Sequence, residues 1–163
     1  MKKILLFLAP FLLAFYTLLA QSSSGSAMHH GDTSHLMFNQ MDLKWGNGPP
    51  SLPKGAKMAV LEGDPSKEGP FTLRATIPPN YKIPPHWHPT TEHVTVIEGV
   101  FYMGMGEKFD ESKATVLKQG GFAVMPEKTA HYSFSKDQCI IQVHAMGPFA
   151  ITYIDPADDP RKK

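Results

Sequence analysis

The 13 glycines and 15 prolines of this 163-residue chain are scattered along it rather than gathered into one linker. Between them lie short runs in which apolar and polar residues alternate. The clearest places Phe71, Leu73, Ala75 and Ile77 against Thr72, Arg74 and Thr76, then stops at Pro78-Pro79-Asn80. Side chains two residues apart share one face of a strand, so such a run builds a sheet with one buried side. Further strands are expected at 42–45, 57–62, 81–88, 92–98, 100–105, 114–117, 122–125, 130–134, 139–145 and 150–154. No long segment of 3.6-residue period follows residue 20, so the pattern predicts an all-β sandwich or barrel.

The formal net charge of +1 offers no basic stripe, which argues against a nucleic-acid partner. The length suits one domain with one core. Cys139 is the sole cysteine, so no intrachain disulfide can form and the fold must rest on packing. Its apolar surroundings, Cys139-Ile140-Ile141-Gln142-Val143, predict a buried, inert thiol.

The front of the chain is of another kind. Lys2 and Lys3 precede an apolar run over 4–20, and a Ser/Gly-rich stretch follows. A secretory signal peptide is expected over 1–20, with cleavage after Ala20 or as late as Ala27. An uncleaved anchor is the alternative, although a helix over 4–20 would span about 26 Å, short of the ~30 Å hydrocarbon core. No cysteine follows for lipidation, and no arginine pair precedes the run. The expectation is a periplasmic or secreted protein with no stable membrane association once the signal is removed. Residues 21–40 predict a flexible linker whose His29, His30 and His35 form either a solvated tail or a metal-capturing arm. The folded domain is expected over 41–156, and 157–163 as a charged, frayed tail.

The chemistry gathers in Pro-Pro-His-Trp-His-Pro-Thr-Thr-Glu-His, residues 84–93. In a strand, His86 and His88 point the same way. Glu92 would lie about 13 Å further along if the strand simply continued, beyond the reach of one metal ion. The chain is therefore expected to turn at Pro89-Thr90-Thr91 and return Glu92 on an antiparallel partner strand. Either Glu92 or His93 could then face the site. Val94 and Val96 share the parity of Glu92, and an apolar lumen takes that set, which favours Glu92. His131, reached by a short strand, a turn and a return strand after Gly120 and Pro126, completes the group. Three imidazoles and a carboxylate suit one divalent metal ion, Zn, Fe, Mn, Ni or Cu, with positions left for water or a substrate.

These residues resemble the motifs of the cupin superfamily. The first, Gly-x5-His-x-His-x3,4-Glu-x6-Gly, is met by His86, His88, Glu92 and Gly99, with Asn80 in place of the leading Gly. The second, Gly-x5-Pro-x-Gly-x2-His-x3-Asn, is met by Gly120, Pro126 and His131, with Lys128 for Gly and Ser135 for Asn. The resemblance covers 41–156. It implies a single-domain jelly-roll barrel with a metal in its lumen, commonly a homodimer, and a fold that hosts oxygenases, decarboxylases, isomerases and hydrolases.

Four further residues are candidates for contact with a small-molecule ligand. Gln142 and His144 share a parity and face either the lumen or the outside. Arg74 is a carboxylate anchor or one half of an ion pair. Tyr102 belongs to the barrel wall or touches substrate. Tyr102 and His144 are also the candidates for a catalytic group beside the metal. Two classes of function stand: an exported metal-dependent enzyme acting on a small molecule, and a non-catalytic metal or ligand binder of the same fold. Equal availability of metals favours Zn over Fe or Mn.

Overall fold

A computed structural model describes residues 35–163. The expected signal over 1–20 and residues 21–34 of the expected linker over 21–40 lie outside the described residues. The strands are β1 (Gly46–Asn47), β2 (Lys57–Glu62), β3 (Gly69–Ile77), β4 (Lys82–Trp87), β5 (Glu92–Glu98), β6 (Val100–Met105), β7 (Thr115–Lys118), β8 (Phe122–Met125), β9 (His131–Phe134), β10 (Cys139–Gly147) and β11 (Thr152–Tyr153). Among the described residues no helix is long and apolar enough to cross a membrane.

Two antiparallel sheets face each other as a jelly roll. One has the order β1-β2-β3-β10-β5-β8, the other β11-β4-β9-β6-β7. The alternation read from 71–77 is realised in the longest ladder, where β3 pairs with β10 from Cys139↔Ile77 to Gly147↔Gly69. Phe71, Leu73, Ala75 and Ile77 are all buried, as are Val94 and Val96 of β5 and Ile141 and Val143 of β10. The second sheet contributes Ile83, Phe101 and Met103 to the same core. Cys139 is buried in it, and burial pushes its thiol up to about 11, so it stays protonated and inert.

The glycine that ends the first motif has a local reason. Gly99 has φ +79°, and a side chain there would press against the Gln138 carbonyl. The residues that replace motif glycines keep the left-handed backbone, Asn80 at φ 57° and Lys128 at φ 55°. Ser135 stands in for the motif's Asn by donating its hydroxyl to the Pro78 carbonyl at 2.7 Å.

Four expectations need correction. The strand foreseen over 42–45 is instead a 3-10 turn, Gln40–Asp42, followed by the two-residue β1. The Asn39 amide donates to the Asp42 carboxylate at 2.9 Å, and that local bond wins over extension. The strand foreseen over 150–154 is only Thr152–Tyr153. Glu92 does not return on an antiparallel partner of the His86 strand: β4 pairs with β9 and β11, while β5 pairs with β10 and β8. The chain at Pro89-Thr90-Thr91 crosses from one sheet to the other. Finally, the C-terminal tail is not frayed. Asp159 is buried and accepts two bonds from the Arg161 guanidinium at 2.8 Å each, and Arg161 also donates to the Ile151 carbonyl.

Candidate metal centre

His86 and His131 lie opposite each other in the β4/β9 ladder. His88 follows just beyond the end of β4 and points back to the same spot. All three are buried, and one ring nitrogen from each lies within 4.8 Å of the others. The crossover then delivers Glu92 from the opposite sheet. Its carboxylate lies 3.5 Å from His131 Nε2 and 3.7 Å from His88 Nε2. His93, on the other parity of β5, faces outward, where its ring stacks near Phe122.

The three rings are oriented by one device. His86 Nδ1 lies 2.7 Å from the Pro84 carbonyl, His88 Nδ1 2.8 Å from that of Ala150, and His131 Nδ1 2.9 Å from that of Thr129. A carbonyl oxygen can only accept, so Nδ1 donates in each ring and Nε2 is left facing the shared point. Burial, with the facing His131 and His88 rings, lowers His86 to about 3, and burial lowers His88 as well. Burial alone would raise the Glu92 carboxyl, but His131, His88 and His86 together outweigh it and hold the group below its ordinary value. A buried carboxylate beside three imidazole nitrogens is a donor set that the charge of a divalent ion would complete. The donor set fits a single metal ion.

One side of the site is closed. The Phe149 ring stacks on His88 with centroids 4.2 Å apart and meets Phe71 edge-on at 5.3 Å. Tyr153 lies tilted against His86 and donates its hydroxyl to the Ser51 carbonyl at 2.7 Å. Tyr81 likewise donates to the Pro53 carbonyl, so residues 49–53 are strapped across the barrel by two tyrosines. His86, Glu92 and His131 border a cavity of about 270 Å³ between the sheets, which Phe149, Ser51 and Leu52 also line.

None of the four polar ligand candidates lines that cavity. Ile141 and Val143 take the lumen side of β10, which turns Gln142 and His144 outward. Arg74 faces out from β3 and donates to the Gln142 side chain at 3.1 Å. Tyr102 faces out from β6 and stacks on Phe134, and the Lys136 ammonium lies over its ring. They are corrected from ligand contacts to outer-face residues. The inward polar group that escaped notice is Ser133, two residues beyond His131 on β9. The same parity rule would have found it. Phe149 and residues 49–53 carry no such signal, because their positions follow from loop geometry.

A jelly roll with this histidine cluster defines a cupin, and a sequence model of the ChrR cupin-like domain matches residues 33–150. The chain belongs to that family. No curated protein matches it. Among solved structures it resembles the polyketide cyclase RemF from Streptomyces resistomycificus, at 18% identity and a TM-score of 0.64, over 77% of this chain and 89% of that one. An RmlC-like cupin from Shewanella frigidimarina aligns at 14% identity and TM-score 0.54, over 70% of this chain and 91% of that one. KdgF from Halomonas sp. aligns at 17% and 0.50, over 68% and 92%. At these identities the likeness is one of fold.

Proposed function

We propose that this is an exported metalloenzyme of the cupin fold acting on a small molecule, with His86, His88, His131 and Glu92 as the metal ligands. One observation carries the reading: three imidazoles, each with Nδ1 committed to a backbone carbonyl, present their free nitrogens to one point beside a buried carboxylate and an open cavity. Bound there, a divalent ion supplies Lewis-acid chemistry or activates water or dioxygen. The chain's own residues do the rest. The carbonyls of Pro84, Ala150 and Thr129 fix the rings, Phe149 covers His88 from water, and the cavity admits a ligand toward His86, His131 and Glu92.

Zn is the proposed ion, on the affinity series and on metal loading outside the cytosol. The export signal over 1–20 and a homodimer belong to the same proposal. Phe122 and Val124, exposed side by side on the edge strand β8, support the dimer. The second reading, a non-catalytic binder, is favoured by the cavity's scarcity of polar side chains other than the ligands.

Elemental analysis of protein purified from its own compartment is the test, joined to oxygen-uptake measurements. One equivalent of metal per chain is expected; absence of retained metal defeats the site. N-terminal sequencing of the same material should begin near residue 21 or 28, and sedimentation should give twice the chain mass.

A further inference from the structure

The cavity beside the metal centre has a chemical bias of its own. Its walls come from both sheets, Leu73, Val94, Ile141 and Val143 on one side and Ile83 and Phe101 on the other. Among the described residues that line it, none is lysine or arginine, and the only side chains that carry charge or bind metal are His86, Glu92 and His131. The polar remainder is three serines. Ser66 already gives its hydroxyl to Asp64 at 2.7 Å, and Ser51 sits in the strap at the mouth. Ser133 is therefore the polar group deep in the lumen, buried on β9 opposite Ile83 and Met103. It shares the face of His131 and stands two residues, about 7 Å, further along the strand.

A second anionic group on a ligand would enter this space with no cation to receive it. Burying a charge without a partner is costly, whereas burying apolar surface is favourable. At about 270 Å³ the cavity also falls below the ~300–1,000 Å³ of drug-sized sites. We propose that its ligand is a small, uncharged, largely apolar molecule. It places oxygen donors at the histidine end and one neutral hydrogen-bonding group about 7 Å deeper, at Ser133. Dicarboxylates and acidic sugars are rejected. This inference rests on the metal-centre reading for the oxygen donors and on the cavity alone for the charge selection.

The two parts separate in one experiment on the full chain. In zinc-loaded protein, titration calorimetry should show benzohydroxamate binding roughly tenfold or more tighter than both acetohydroxamate, which lacks the apolar body, and 4-carboxybenzohydroxamate, which carries the buried charge. Equal or tighter binding of the carboxylated probe overturns the proposal. A 4-hydroxyl on benzohydroxamate should improve binding in the parent and lose that advantage in Ser133→Ala; an advantage kept in the variant overturns the role of Ser133. Protein stripped of metal is then given benzamide and 4-carboxybenzamide, neither a strong chelator. Benzamide should shift the methyl resonances of Ile141 and Val143, and the carboxylated form should not. Because this arm needs no ion, a failure of metal retention leaves the charge selection tested, and a shift from both compounds overturns it.

Discussion

Within the barrel, two sets of histidines differ in what their rings touch. Inside, His86, His88 and His131 each give Nδ1 to a main-chain carbonyl and leave Nε2 free. On the outer face of the six-stranded sheet, His144 spends both nitrogens on side chains: Nδ1 lies 3.1 Å from the Thr72 hydroxyl and Nε2 3.4 Å from the Gln142 amide. That contact belongs to a ladder running from the Arg74 guanidinium through Gln142, His144 and Thr72 to the Glu62 carboxylate. Its direction is set by a cation at one end and an anion at the other. His93 sits beside His144 in register, yet among the described residues the pair gathers no third donor into a cluster. Histidine content is thus a poor guide to metal. What matters is whether a backbone acceptor takes one nitrogen and leaves the other aimed at its neighbours.

The contrast is broken most severely by removing the inner rings. His86→Ala combined with His131→Ala should abolish metal retention by elemental analysis while the far-ultraviolet spectrum stays β-rich; unchanged metal content would sink the assignment. Next in size, Glu92→Gln should weaken metal affinity by about 10–100-fold or more in competition with a chromogenic chelator. His93→Gln, one residue along the same strand, should leave affinity where it was, and the reverse order would mean that the outward residue is the ligand. Phe149→Ala uncovers His88 and removes a half-buried ring. It should cost about 2 kcal/mol in urea unfolding, less than the ~3–5 kcal/mol of a fully buried Phe. The smallest effect belongs to the outer ladder. His144→Ala should lower stability by about 1 kcal/mol and leave the metal content unchanged, and loss of metal there would erase the distinction between the two sets.

Much of this was legible in the chain because period-2 alternation carries parity. Val94 and Val96 share a face with Glu92, and the same rule sends His93 outward; the structure places both as that rule requires. Sheet membership was not legible. Alternation says which face a residue takes, but it does not say which sheet receives the strand after Pro89-Thr90-Thr91. The outward fate of Gln142, His144, Arg74 and Tyr102 was encoded in their apolar neighbours Ile141, Val143, Leu73 and Phe101. A polar side chain on a strand draws attention as a ligand contact although the parity beside it speaks for the surface. The strap over 49–53 was hidden because its position depends on Tyr81 and Tyr153, distant in sequence and joined to it through hydroxyl-to-carbonyl bonds.

The crossover between sheets has a mechanical meaning. With its ligands on β4, just past β4, on β9 and at the start of β5, a bound ion would be the one cross-link between the two layers of a protein whose single thiol can form none within the chain. It would close the stretch of chain from His86 to His131 into a loop. By the entropy of tethering an unfolded chain, a closure of that length is worth about 4 kcal/mol. The ion would then serve as a rivet at one end of the sandwich, leaving the other end, around Cys139, to be held by packing and hydrogen bonds.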